Sequence, residues 1–296
     1  MKKKSYRNPV GVSRFTGLVL ISPFIVGFAL FTLYPFVCSF VLGMTDSHGI
    51  SSPQFVGMNN YAELLNDKRF TGALGVTLRY AAILVPLKLI VSLMTALLLN
   101  LEIRGIGFFR TAFYIPSILG ANLSVVIMWQ YLFTANGLVN QILGQLGLAP
   151  VSWYGEAGPA MFMIVLLRLW EFGSTMIIFL TALRDIPREL YDAAKVDGCG
   201  SIRALIHITL PQLRGVIFIN LVLQTIAALQ EFNAPYMITD GGPLGSTYTL
   251  GMLIYDEMFS HFNRGYANAI SWVMFVIIAA AVAVMFLVTR KRRHEQ

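Results

Sequence analysis

Charge is what this chain has least of. Asp, Glu, Lys and Arg make up 12% of its 296 residues, against about 25% in ordinary soluble domains. With 56% of the residues apolar and a mean hydropathy of +0.66, that deficit excludes a water-soluble globular class and points to a membrane protein. Acid is scarcer than base, 15 residues to 22, a net charge of +7. Such an excess could mark a nucleic-acid binder, but the basic residues gather at the ends of apolar runs and form no basic face, so no nucleic-acid partner is expected. Cysteine is almost missing: Cys38 and Cys199 cannot build a disulfide framework or a thiolate metal site. The four histidines, His48, His207, His261 and His294, have neither ligand nor triad spacing, so no catalytic residue and no metal is expected. There is also no G-x-x-x-x-G-K-[ST] loop to cradle nucleotide phosphates.

What the chain has instead is long apolar runs. A bilayer core takes about 20 apolar residues per helix, because unpaired backbone groups in hydrocarbon are too costly for an open structure. Six runs qualify, over residues 15–42, 74–101, 111–133, 157–183, 213–230 and 267–289. The start "MKKK" could open a signal peptide, but the uncharged run that follows is too long for one and reads as a retained span. Orientation follows from flanking positive charge. With the N-terminus inside, one side receives Lys2, Lys3, Lys4, Arg7, Arg14, Arg104, Arg110, Arg184, Arg188, Lys195, Arg203, Arg214 and the tail Arg290, Lys291, Arg292 and Arg293. The other keeps Lys68, Arg69 and Arg264. The positive-inside rule therefore expects a multi-pass membrane protein, with lipid around it and both termini cytoplasmic.

One charged stretch, "ELYDAAKVDGCGSIRALIHITLPQL", interrupts this pattern on the cytoplasmic side. Asp185 and Pro187 are helix-start signals and Gly198 a stop. The piece between them, about eleven residues, would be a helix near 16 Å long, too short to cross a bilayer. Arg188, Asp192 and Lys195 share one face of it, and Leu190, Ala193 and Ala194 form a small, smooth second face. Two readings are open from the residues alone: a helix lying on lipid headgroups, or a knob that docks a cytoplasmic partner.

The spacing here resembles that of binding-protein-dependent ABC import permeases, whose cytoplasmic EAA loop runs E-A-A, three residues, Gly, nine residues, I-x-L-P. This chain has Asp192, Ala193 and Ala194, then "KVD", Gly198, nine residues, and "ITLP" from Ile208 through Leu210 to Pro211, with Asp in place of the first Glu. The stretch "PYMITDGGPLGSTYTLGMLIYDEMF", and also "FFRTAFYIPSIL" and "IPRELYDAAKVDG", are similar to the carbohydrate branch, of the maltose and glycerol-3-phosphate type, in its first permease subunit. The resemblance implies an all-α, polytopic type I importer permease fold of about six transmembrane helices with a cytoplasmic coupling helix. It divides the chain into 1–70 (N-terminus, first helix and first outer loop), 71–289 (permease domain, with coupling loop 185–212) and 290–296 (basic tail). It also implies an ATP-driven sugar importer of a bacterial cytoplasmic (inner) membrane in which this chain is no enzyme. A second homologous permease shares the pathway, and two cytoplasmic ATP-binding subunits per complex bind the EAA loops, in this chain at Glu189, Asp192, Ala193, Ala194, Gly198, Ile208, Leu210 and Pro211. An extracytoplasmic protein delivers the sugar. This chain would carry no cofactor of its own, ATP and Mg belonging to the partner ATPases.

Polar residues at membrane depth are functional candidates by default. Asn220, Gln224 and Glu231 lie near one helical stripe of the fifth run, and Trp170 and Glu171 stand in the fourth, with Arg168 placed to pair with Glu171. Amides and carboxylates beside an aromatic face suit a sugar pathway, although such groups also join helices to one another. An ion-coupled secondary transporter would call for paired interrupted spans and coupling carboxylates at the midplane. No interrupted pair is evident in the sequence, and Glu171 is the acidic residue well inside a span. A membrane-bound enzyme would call for a cluster of His or acidic residues at one interface, which is also missing.

Overall fold

The computed structural model describes residues 14–294, apart from 50, 51, 102, 103 and 121, and it describes side chains from 16 to 289. Lys2, Lys3, Lys4 and Arg7 therefore lie outside the described residues, as do the side chains of the basic tail. The described residues are mainly helical, with a hairpin of two-residue strands in the loop after the first apolar run: β1 (Thr45–Asp46) pairs antiparallel with β2 (Gln54–Phe55).

Three helices are long and apolar enough to cross a bilayer singly: α1 (Thr16–Leu42), α3 (Lys68–Leu99) and α14 (Arg264–His294, apolar as far as Thr289). A short helix, α2 (Asn59–Asn66), leads into α3, whose first turn is capped by the Asp67 carboxylate accepting from the Arg69 amide at 2.7 Å. At 1.5 Å per residue α3 is about 48 Å long, more than the roughly 30 Å of hydrocarbon, so it extends beyond the apolar layer. It is also the hub of the bundle. Tyr80, Leu84 and Val85 on it pack in a core with Met163, Ile164, Leu167 and Leu229, while Ala96 and Leu99 pack farther along with Met176, Phe179, Leu183 and Leu213. By contrast, α1 is exposed along its N-terminal half. It joins the bundle through Phe36 and Phe40, whose rings sit 4.6 and 4.9 Å from that of Trp272 on α14.

Two of the other three spans are not the uninterrupted helices expected from their apolar runs. Runs 111–133 and 157–183 each fold as a pair broken in the middle, α4 (Ile106–Leu119) with α5 (Leu123–Leu132) and α7 (Ala157–Trp170) with α8 (Gly173–Arg184), whereas run 213–230 is the single helix α11 (Arg214–Leu229), joined at a bend to α10 (Ser201–Gln212) of the charged insert. The α7–α8 and α10–α11 junctions are bent by 44° and 68°. Apolar composition specifies burial in lipid but says nothing about helix continuity, which is why the runs looked whole. Outside the spans, α6 (Leu138–Gln145) lies in the loop between α5 and α7, and the loop between α11 and α14 holds α12 (Asn233–Ile238) and α13 (Leu250–Tyr255), which continues as a π turn to Ser260.

The break between α7 and α8 has a local cause. "WEFGST" places Gly173 and two hydroxyl residues where the apolar run should continue. A side chain at Gly173 would meet the Phe113 carbonyl oxygen of α4 at 2.4 Å, so glycine lets α4 lie directly across the bend. Backbone groups freed by the bend find partners on neighbouring helices. Ser117 Oγ donates to the Glu171 carbonyl (3.1 Å) and accepts from the Ser174 amide (3.0 Å), and Ser92 Oγ donates to the Phe172 carbonyl (3.3 Å). Gly173→Val should overpack this crossing and cost about 1–3 kcal/mol. The expected outcome is a lower unfolding temperature of the detergent-solubilised chain, and an unchanged one would argue against the crossing.

Polar contacts also stitch the 233–266 loop and the start of α14 to the first turn of α3. Arg69 Nη1 meets the buried Glu257 carboxylate at 2.7 Å, and Tyr266 Oη donates to Asp67 at 2.6 Å. Tyr248 Oη donates to Asp256, and burial together with that bond pushes the phenol well above its ordinary range.

Candidate coupling loop and pathway

The charged insert folds as a helix of its own, α9 (Arg188–Val196). It starts later than its sequence signals suggest, because Pro187 holds an extended ψ of 133° and serves as N-cap, while Asp185 ends α8. At nine residues it is about 13 Å long rather than 16 Å. Its stop is where the sequence puts it. Gly198 takes φ +72°, its amide donates to the Lys195 carbonyl (3.0 Å), and the Cys199 amide reaches back to Ala194 (2.8 Å). That pair of bonds is a Schellman cap, which a glycine adopts without steric penalty.

No residue of α9 is buried. Glu189, Asp192 and Ala193 are exposed, with Asp192 3.5 Å from Lys195 in a solvated pair, while Ala194 is half-buried. Leu190 and Val196 stand in the open, Val196 at 89% exposure. The helix is tied down through Tyr191, whose hydroxyl shares a 2.9 Å hydrogen bond with Thr209 Oγ1 on α10. Ile208 and Leu210 are half-buried beside that anchor, and Pro211 is exposed at the end of α10. The expected coupling residues thus form one projecting element, held at its base and open on its outer face.

Deeper in the bundle, Arg168 on α7 holds two carboxylates from different elements. Its Nη1 lies 3.0 Å from both oxygens of Glu171, the pairing expected from their spacing. Its Nη2 and Nε lie 2.8 Å from the two oxygens of Glu231, at the far end of α11. The three side chains are only 15%, 14% and 10% exposed. Lys88 and the buried Tyr80, both on α3, lie within electrostatic range of the same groups. Glu231 Oε1 also accepts from the Ala234 amide at 3.1 Å, fixing the turn into α12.

The remaining pathway candidates spread out from this cluster. The Trp170 ring lies 6.1 Å from that of Trp129 on α5. Gln224 Nε2 donates to Thr175 Oγ1 on α8 at 3.0 Å, and Asn220 is fully buried with its amide donating to the Val216 carbonyl at 3.0 Å. The face of α11 left open carries Ile219, Leu223, Ala227 and Gln230. A further feature has no signal in a single stretch of sequence. The rings of Phe232, Tyr236 and Tyr255 lie within 5.1 Å of one another, and Phe259 lies 5.0 Å beyond Tyr255. They form an aromatic strip leading away from Glu231. Each pair, 232 with 236 and 255 with 259, has i,i+4 spacing, but only the packing of α12 against α13 joins them. Among the described residues no group of three or more His, Cys, Asp or Glu is arranged to hold a metal.

Comparison with known proteins bears on both regions. Residues 106–294 match the family described as binding-protein-dependent transport system inner membrane component, a segment that contains α9, the Arg168 cluster and the aromatic strip. The chain is similar to the probable ABC transporter permease protein YesP of Bacillus subtilis, with 38% identity over 91% of this chain and 89% of that one. It is also similar to the sulfoquinovosyl glycerol transport system permease protein SmoG of Agrobacterium fabrum, at 34% over 94% and 92%. The trehalose/maltose transport system permease protein MalF of Thermococcus litoralis shares 33% over 94% of each chain. Among solved structures, a chain of a bacterial alginate ABC transporter, crystallised with its pentasaccharide-bound periplasmic protein, superposes with a TM-score of 0.79. It covers 94% of each chain at 21% identity, so the likeness speaks to fold. The architecture is that of a type I ABC importer permease.

Proposed function

This chain belongs to the binding-protein-dependent transport system inner membrane component family, and from that premise we propose that it forms one wall of an ATP-driven importer for a carbohydrate. The observation that carries the coupling role is α9, a short helix with no buried residue, its own cap and one anchor, set at the spacing of the family's cytoplasmic loop. Two partner ATPase subunits per complex hold ATP and Mg; one grips Glu189, Asp192, Ala193 and Ala194 of this chain, while Gly198 and the Ile208, Leu210 and Pro211 segment keep α9 in register. When the ATPases close, α9 moves with them as a stiff lever. Tyr191 and Thr209 pass the motion to α10 and, through the bend before Arg214, to α11. The pathway lies between this chain and a second homologous permease, and an extracytoplasmic binding protein delivers the sugar to the outer face. Both termini are cytoplasmic, as the flanking positive charge requires.

Trp170, Glu171, Glu231 and Gln224 line the pathway, and Asn220 backs it from within the bundle. Sugar rings have apolar faces edged by hydroxyls, which suits an aromatic strip ending at a carboxylate. Both carboxylates are already held by Arg168, which makes them poor proton or ion carriers and disfavours an ion-coupled transporter despite the broken spans.

The test is uptake of labelled saccharides into proteoliposomes holding the chain with its partner subunits and binding protein. Uptake should require ATP, and uptake that proceeds without it would overturn the importer reading. Gln224→Ala should alter the ranking of a panel of mono-, di- and trisaccharides by about 2- to 10-fold, the effect of one hydrogen bond. An unchanged ranking would remove Gln224 from the pathway.

A further inference from the structure

The helix α6 is fixed on one side and open on the other. Its Asn140 side chain is buried, donating to the carbonyls of Ala135 and Val151, both at 3.1 Å, and accepting from the Val151 amide and Trp153 Nε1, both at 3.0 Å. Val139 and Leu143 pack beside it against the core that holds Trp129, Phe133 and Trp153. The open side is divided lengthwise. Leu138, Ile142 and Leu146, four residues apart, form one row, all exposed and Leu146 at 69%. Gln141 and Gln145 stand exposed in the next row. At 3.6 residues per turn the glutamine row points away from the core and the apolar row points sideways.

Two further observations say what the apolar row meets. From Tyr131 to Gly155 the chain holds no charged residue, although α6 and its flanks belong to no span. This segment joins the end of α5 to the start of α7, so it lies at one boundary of the bilayer, and Tyr131, Trp153 and Tyr154 gather there, residue types that favour that boundary. We infer that α6 is an interfacial helix, its Leu138, Ile142 and Leu146 row set among phospholipid acyl chains and its glutamine row facing water. A protein partner could cover the same row, but the open apolar surface of α5, carried by Ile127, Met128 and Tyr131, runs up to this loop and continues the lipid-facing side of the span. This placement rests on α4 with α5, and α7 with α8, each crossing the bilayer. Gln130 of α5 donates to the Met237 carbonyl of α12 at 2.6 Å, so lipid contact at α6 also holds the depth of α12.

The experiment is electron paramagnetic resonance of the full chain in vesicles of phosphatidylethanolamine and phosphatidylglycerol. It carries Cys38→Ser and Cys199→Ser and one nitroxide-labelled cysteine at a time. Labels on Leu138→Cys, Ile142→Cys and Leu146→Cys should collide mainly with oxygen, as should one on Phe24→Cys in the exposed half of α1. Those on Gln141→Cys and Gln145→Cys should collide mainly with a water-soluble nickel chelate, as should one on Glu63→Cys in α2. The oxygen-to-nickel ratio should thus follow the helical period, differing by about threefold or more between Ile142→Cys and Gln141→Cys. Equal ratios at the five α6 positions overturn the interfacial placement. Shielding of the apolar row from both reagents, whether in the chain alone or only once its partner subunits or binding protein are added, marks a protein contact and overturns the lipid assignment. A variant that fails to fold removes one position, and the other four still decide. None of these outcomes touches the importer reading, which makes no use of α6.

Discussion

Arg168→Met leaves little folded chain in the membrane. The substitution nearly conserves volume but strands the Glu171 and Glu231 carboxylates side by side, both largely shielded from water and both previously neutralised by the same guanidinium. Removing one partner of a buried ion pair typically costs about 3–5 kcal/mol, because the charge left behind stays desolvated. That is a large part of the 5–15 kcal/mol that holds an ordinary domain folded. The triple variant Arg168→Met, Glu171→Gln, Glu231→Gln removes the stranded charge and should recover most of the loss, since neutral replacement of a whole ionic group is often tolerated. Detergent-solubilised yield and thermal midpoint measure both. If the single variant is as stable as wild type, the three groups do not form one unit. If the triple variant is no better than the single, the arginine acts through packing rather than charge.

Ala193→Glu should do the opposite: leave the fold intact and abolish ATP-driven uptake. Ala193 is exposed on a helix with no buried residue, so the added side chain meets nothing within this chain. On the docked surface it places bulk and negative charge where two small residues allow close approach. Loss of coupling by at least tenfold, about 1.4 kcal/mol or more, is expected in both uptake and stimulated ATPase activity. Gly198→Val should give the same phenotype through the backbone, because a β-branched residue at φ +72° strains the Schellman cap by roughly 1–2 kcal/mol and loosens the end of α9. Either variant inserting normally yet coupling normally in proteoliposomes would return α9 to the other reading, a helix resting on headgroups.

The two regions differ in how much of them could be read without coordinates. Elements defined by local rules were legible. Each of the six apolar runs falls on a helix or bent helix pair long and apolar enough to cross a bilayer, Gly198 ended α9, and Arg168 paired with Glu171, because span length, a positive φ and an i,i+3 contact all depend on residues close in the chain. Departures arose where a neighbour decided the outcome. Pro187 displaced Asp185 as the start of α9 through its own backbone geometry, and the bend after Trp170 is completed by Ser92 and Ser117 from other helices.

Long-range convergence was invisible for the same reason. Glu231 looked like one of three polar residues along a fifth span, but it lies 63 positions from Arg168 and closes the second half of that guanidinium's fork. The aromatic strip needs α12 laid against α13. By itself the sequence determined membrane class, number of spans and the position and form of the coupling helix, since hydrophobicity and backbone preference act over a few residues at a time. Tertiary structure alone decided which charges are neutralised, which spans bend and which faces remain open, because those depend on groups that the chain brings together only when it packs.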